Sequence, residues 1–147
     1  MTGPRLAIGP IPTFYTRLKA SKGCFCSKTV RDFIDMDDFF SVMDAVMAEG
    51  APSGVFNVST GTGHTIKEIF DIVVDHLGVT LNEPVPEVEP GADDVPAVVL
   101  DPSNTIETFG WKPRYSFEQT IRRMLAWYDI HGVTAIYSHL KAPPAKA

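Results

Sequence analysis

Apolar side chains recur at helical spacing between residues 66 and 77, where Ile66, Ile69, Phe70, Val73 and Leu77 fall on one face. Thr65 and Glu68 stand at capping-box positions before that stretch, and Gly78 stands where it must end. The same signals return near the C-terminus: Ser116 with Gln119 opens a helix, Ile121, Met124, Leu125 and Tyr128 line its inner face, and Gly132 closes it. A third stretch puts Phe39, Phe40, Met43, Val46 and Met47 on one face, with Asp37 or Asp38 as its cap and Gly50 as its stop. Two shorter helices complete the helical pattern. One covers residues 13–20, with Pro12 near its first turn, where a missing N–H costs nothing. The other starts at Asp101-Pro102, with proline at the first helical position, and ends at Gly110, with Trp111 packing back on it.

Between these helices lie short apolar runs that predict strands over residues 24–26, 30–36, 54–58 and 97–100. Residues 82–96 hold Pro84, Pro86, Pro90, Gly91 and Pro96, a density of breakers that predicts an acidic surface loop with no regular element. Strands and helices alternate without a linker or an internal repeat, which predicts an α/β arrangement of short strands with packed helices. Residues 1–140 are expected to form one lobe, and the Ala/Pro/Lys-rich residues 141–147 a flexible tail.

Composition narrows the partners. A chain of 147 residues with 44% apolar and 21% charged side chains is one soluble domain's worth. Its net charge of −5, with no basic block, argues against nucleic acid. No apolar run approaches the ~20 residues needed to span a bilayer, and no signal segment opens the chain, so no membrane association and a cytoplasmic location are expected. Cys24 and Cys26 are the only cysteines; on a strand they share one face and read as reduced small hydrophobes. His64, His76, His131 and His139 lack ligand spacing, and capping accounts for Asp35, Asp37 and Asp38 more simply than a metal, so no metal site is predicted.

The chemistry concentrates in Thr29-Val30-Arg31-Asp32-Phe33-Ile34-Asp35-Met36-Asp37-Asp38, where one arginine heads an apolar strand that runs into an acidic helix start. A guanidinium anchored in this way suits bidentate recognition of a phosphate or carboxylate. The competing reading is a surface ion pair to Asp32 or Glu49, worth under about 1 kcal/mol. The segment resembles the RDFI-x-x-DD signature of the NAD-dependent nucleotide-sugar epimerases and dehydratases, the extended short-chain dehydrogenases. Further pieces follow in that family's order: Gly3-Pro4-Arg5, Ile11-Pro12-x-Phe14, Gly54-Val55-Phe56-Asn57-Val58-Ser59, Val99-Leu100-Asp101-Pro102-Ser103, Phe109-Gly110-Trp111-Lys112-Pro113 and Trp127-Tyr128.

The resemblance implies the small C-terminal substrate-binding lobe of an extended short-chain dehydrogenase, lacking the Rossmann half. In that family NAD takes a hydride from a sugar carbon while a tyrosine takes the hydroxyl proton. Arg31 would hold the diphosphate of a nucleotide-sugar substrate, and Phe14, Cys24, Phe25 and Cys26 would lie against its base, with core packing as the competing account for those four. Met1 stands where the family has an internal residue, which implies a shortened reading frame.

Three departures limit what the chain is expected to do. The dinucleotide-binding half is missing; Thr60-Gly61-Thr62-Gly63-His64 is a glycine-rich run before a helix but lacks the third glycine of the nucleotide fingerprint. The family's proton-transfer pair, a tyrosine four residues before a lysine, falls outside the chain. Tyr15 with Lys19 and Tyr137 with Lys141 match that spacing only by accident. A second arginine that many members carry before the Gly-Asp of the proline-rich loop is absent; Gly91-Ala92-Asp93-Asp94 has no cation, so its acids either repel a diphosphate or form a solvated turn. NAD is therefore expected for the full-length family and not for this chain alone, and no catalytic residue is assigned. An alternative is a non-catalytic module that completes a separate Rossmann-type, NAD-binding chain or merely persists as an interaction domain; the partner expected beside the substrate is such a chain or a second copy in a homo-oligomer. In that case the helix over 39–47 would leave an apolar patch exposed.

Overall fold

A computed structural model describes residues 1–133. The predicted tail, His139 and the spacing of Tyr137 with Lys141 lie outside the described residues.

Helix starts are dictated locally, and two match their capping signals. In α3 (Ile66–Leu77) the Thr65 N–H donates to Glu68 Oε2 at 2.7 Å, and the Glu68 N–H donates to Thr65 Oγ1 at 3.1 Å. The backbone hydrogen bond from Thr65 holds the Glu68 carboxyl below its ordinary range. In α5 (Phe117–His131) Ser116 and Gln119 make the same reciprocal pair. α1 (Pro10–Lys19) begins three residues earlier than predicted, because Pro10 and Pro12 both fit its first turn, where N–H groups have no partner to lose. α4 (Ser103–Phe109) starts one residue after Pro102, with Asp101 Oδ1 accepting from the Ser103 N–H at 2.9 Å.

α1, α3 and α5 form the larger core. Ile11, Phe14 and Tyr15 of α1 meet Ile69, Phe70 and Val73 of α3 and Ile121, Met124, Leu125 and Tyr128 of α5, all buried. Phe14 packs edge-on against Phe70 with ring centroids 5.2 Å apart, and Tyr15 packs on Tyr128 at 5.3 Å. Burying side chains of this size contributes about 1.5–3 kcal/mol each. The inner faces read from sequence for α3 and α5 are the faces that pack.

The strands are shorter than predicted, each two residues long. β1 (Cys26–Ser27) pairs in parallel with β4 (Glu87–Val88). β2 (Val30–Arg31) lies between β3 (His64–Thr65), antiparallel to it, and β5 (Ala97–Val98), parallel to it. β4 corrects the expectation that residues 82–96 hold no regular element: the prolines flank a two-residue ladder rather than preclude it. The remainder of the predicted 30–36 strand survives as a single bridge, with Thr2 N–H donating to Ile34 O at 2.8 Å and Met36 N–H donating to Thr2 O at 2.9 Å.

Two further expectations are corrected. Residues 54–58 form no strand among the described residues; Val55 is 92% exposed, and the segment is held by side chains instead of a ladder. Asn57 Nδ2 donates to Asp101 O, Ser59 Oγ to Leu100 O and Thr105 Oγ1 to Asn57 O. In α2 (Met36–Val46) the cap is Asp35, neither Asp37 nor Asp38: Asp35 is still extended and its carboxylate accepts from the Asp37 N–H at 2.8 Å. The inward face of α2 is Asp38 and Val42, and Val42 packs with Trp111; Phe40, Val46 and Met47 of the predicted apolar face point outward. Periodicity located an apolar face, but the described residues leave much of it uncovered. Trp111 packs on α2 as well as on Phe109, with Nε1 donating to Ser41 Oγ at 2.8 Å.

No helix among the described residues is long and apolar enough to cross a membrane.

Candidate functional site

The arginine-headed segment is braced by three of its acids, Asp32, Asp35 and Asp38, while Asp37 is exposed and pairs with Arg123. Asp32 accepts from the Thr60 N–H, the Thr60 hydroxyl at 2.7 Å and the Gly61 N–H at 2.8 Å. Asp35, 2% exposed, also accepts from Arg123 Nη1 at 2.9 Å. Asp38, with no exposed surface, accepts from Arg114 Nε at 3.1 Å and from the N–H groups of Arg114 and Tyr115. Capping, buried ion pairing and turn bracing account for the acids of the motif, and among the described residues no cluster is built to hold a metal ion.

Arg31, by contrast, is partly open. Its Nη1 donates to Val30 O at 2.8 Å and, more weakly, to Pro96 O, and its Nη2 pairs with Asp94 Oδ1 at 2.6 Å. The partner is thus neither Asp32 nor Glu49. Asp94, expected to be solvated or repulsive, is folded onto the one cation it could have opposed. Lys28 pairs with Glu89 of the same loop at 2.6 Å, so two ion pairs clasp the acidic loop to the β1–β2 segment.

Arg31 lines a cleft of about 260 Å³ with Leu6, Ile8, Gly9, Pro10 and Phe33 among its walls. Gly9 and Pro10 also line a second cleft of about 400 Å³, whose walls include Phe14, Cys24 and Phe25. The two clefts therefore adjoin at the N-terminus of α1. Three of the four residues predicted to lie against a base share this second cleft. The fourth, Cys26, does not: its side chain is wholly buried in the helical core, where burial pushes the thiol up to about 11. Cys24 packs partly on the same core, so the two cysteines do share a side, while Phe25 between them is 63% exposed. Sequence reading missed Arg17, Ser27 and Thr29, which also line this cleft. Their only signal was proximity to Phe14 and Cys26 once α1 was placed correctly.

The glycine-rich run does not fit a dinucleotide. The N–H groups of Thr60 and Gly61, which would face a pyrophosphate, already hold the Asp32 carboxylate. Gly61 has φ +74°, and at Gly63 an added Cβ would lie 2.5 Å from Val30 Cγ1, so the glycines serve the turn and the close packing onto β2. Tyr15 is unsuited to proton transfer. It is 3% exposed, and burial together with its hydrogen bond to Asp129 holds the hydroxyl above the ordinary tyrosine range, although Lys19 Nζ donates to it at 3.2 Å.

Residues 5–124 match the family model described as GDP-mannose 4,6 dehydratase. Among curated relatives, the chain is 28% identical over 116 residues to the dTDP-glucose 4,6-dehydratase of Streptomyces antibioticus, covering 79% of this chain and 34% of that protein. It is 31% identical over 101 residues to the dTDP-L-rhamnose 4-epimerase of Burkholderia thailandensis, covering 66% and 26%. Among solved structures it is 67% identical to the Bordetella bronchiseptica enzyme WbmG, solved with NAD and UDP, at a TM-score of 0.89, covering 97% of this chain and 46% of that one. WbmH from the same organism, solved with NAD, is 35% identical at a TM-score of 0.78 and is 43% covered. The chain thus spans about a third of the length of such curated relatives and under half of such solved chains.

Proposed function

The chain belongs to the NAD-dependent epimerase/dehydratase family, and from that premise we propose that it supplies the part of such an enzyme that holds the nucleotide-sugar substrate. The observation that carries this reading is the continuity of the two clefts across Gly9 and Pro10. A cation that can offer a guanidinium edge lines one cleft, and an exposed aromatic ring lines the other. A nucleoside diphosphate has two matching parts, an anionic bridge and a flat ring. In this reading Arg31 meets the diphosphate, and Phe14, Cys24 and Phe25 meet the base. UDP is the first ligand to try, because WbmG was solved with it.

The chain's own residues bind and orient, and none moves a proton or hydride. NAD belongs to the longer enzyme, where it supplies the redox step. Titration calorimetry on the purified chain is expected to show UDP binding that weakens on Arg31→Ala, with no NAD binding and no turnover in a coupled assay. Absence of UDP binding would overturn the substrate reading, and NAD-dependent sugar-nucleotide conversion would overturn the non-catalytic one.

A second reading has its own observation. Phe40 at 55%, Met47 at 69% and Val55 at 92% exposure leave apolar side chains on α2 and residues 54–58 open to solvent. A separate Rossmann-type chain covering them would make this a complementing module. Co-purification with such a chain supports that reading, and a stable monomer with no tendency to associate counts against it.

A further inference from the structure

Among the described residues, Arg17 is the one charged residue lining the cleft that holds Phe14, Cys24 and Phe25, and no acid lines it. It lies in the last turn of α1, and its Nε donates to Gly23 O at 2.7 Å. That bond spends one of its five donors and fixes the guanidinium plane while the terminal nitrogens remain free of carboxylates among the described residues. Arg31, Arg114, Arg122 and Arg123 differ, each facing a carboxylate. An arginine pinned by a backbone carbonyl, unpaired with acid and open to a cleft with an aromatic wall is arranged to read the edge of a ring.

Its position says which edge. Arg17 is seven residues beyond Pro10, about 10 Å along the helix axis at 1.5 Å per residue. The phosphate cleft joins at Gly9 and Pro10, so Arg17 is at the opposite end of the base cleft from the phosphate. In a pyrimidine nucleotide the ring edge farthest from the sugar is position 4, whereas the 2-oxo group flanks the glycosidic bond. Guanidinium carries only donors. It accepts a 4-oxo group as partner and opposes a 4-amino group, which is itself a donor there.

The geometry points to Arg17 as the residue that selects a 4-oxo pyrimidine, uracil or thymine, over cytosine in the nucleotide held by this chain. This rests on the cleft being a base site, as set out above. The test compares UDP with CDP, which share ribose and diphosphate, by titration calorimetry at one ionic strength. The intact chain is expected to favour UDP by about tenfold or more, the range of a hydrogen bond to a charged group. Arg17→Ala should lower UDP affinity by about that factor and leave CDP within about twofold, so that the preference collapses. Arg17→Gln offers an acceptor as well as a donor, and should lose the preference too; it decides the matter if circular dichroism shows the alanine variant unfolded. Arg31→Ala should weaken UDP and CDP equally. Equal losses for both nucleotides in the Arg17 variants, or no preference in the intact chain, would overturn the role of Arg17 while leaving the substrate reading standing. Failure of the intact chain to bind any nucleotide would remove both.

Discussion

Neutralising Asp94 should tighten diphosphate binding, although it deletes an ion pair from the proposed site. Arg31 is committed within the chain: Nη2 is 2.6 Å from Asp94 Oδ1, and Nη1 is turned to backbone oxygens. A diphosphate must displace Asp94 from Nη2 or share it. The side chains of Arg31 and Asp94 are 27% and 45% exposed, so this is a partly solvated pair whose loss costs about 0.2–1 kcal/mol. A second contribution is repulsion. A carboxylate about 5 Å from one unit of phosphate charge costs about 0.5–1 kcal/mol at high effective dielectric and physiological salt.

The two together come to about 1–2 kcal/mol, or roughly five- to thirtyfold in affinity. Titration calorimetry with UDP on the intact chain and on Asp94→Asn measures it. The gain should shrink as salt rises, because both parts are screened, and it should vanish for uridine, which has no phosphate. Asp93→Asn serves as the comparison, since Asp93 makes no ion pair in the described structure and should give a smaller gain. Equal or weaker UDP binding by Asp94→Asn would refute the reasoning and identify Asp94 as the group that orients Arg31.

Four shorter predictions follow from the same structure. Arg31→Ala should lower UDP affinity by about ten- to a hundredfold and leave uridine unchanged, with Arg31→Lys recovering only part of the loss. Asp38→Asn should destabilise the fold by about 3 kcal/mol in urea unfolding, because it uncouples a buried carboxylate from Arg114 and two backbone donors. Iodoacetamide at pH 8 should label Cys24 but not Cys26 in the folded chain, by mass spectrometry, and UDP should protect Cys24. The Tyr15 hydrogen bond, then His76, holds the Asp129 carboxyl below its ordinary range; that stabilisation is present above the unfolded pKa and lost as pH falls through the folded one. Asp129→Asn should therefore lower the melting temperature at pH 7 and flatten the loss of stability below about pH 4.

The parts of this fold that could be read from sequence are those whose cause is local. Capping boxes at Thr65 and Ser116 act within four residues, and the faces of α3 and α5 follow because the helices they meet lie in the same chain. The 54–58 strand failed for the opposite reason. Its apolar pattern is a strand pattern, but a strand exists only with a neighbour to pair with, and none of the described residues pairs with it. The same lack turned α2 around: its apolar stripe faces outward and Asp38 faces inward, an orientation that depends on Arg114, 76 residues away. For the candidate site, the placing of Arg31 in a short strand was legible from its motif. Its partnership with Asp94 was not, because 63 residues separate them and only the β2–β5 register brings them together.

That register also explains why one segment carries so many charges. Of its residues, Arg31 is the cation that lines the cleft adjoining the aromatic one, beside Asp32 and Phe33, while Asp32, Asp35 and Asp38 each hold a different piece of the chain: the 60–61 turn, α5 through Arg123, and the 114–115 backbone before α5. Each acid fixes the segment against a separate element, so Arg31 is presented on backbone braced on three sides. A flexible arginine would lose side-chain entropy on meeting a phosphate, whereas one already held by Val30 O and Pro96 O loses less. If Arg31 meets the diphosphate as proposed, the acids would contribute to affinity by bracing it. Substituting Asp32 by Asn, which keeps the shape but weakens its hold on the Thr60 and Gly61 N–H groups, should weaken UDP binding through Arg31 while leaving uridine binding intact.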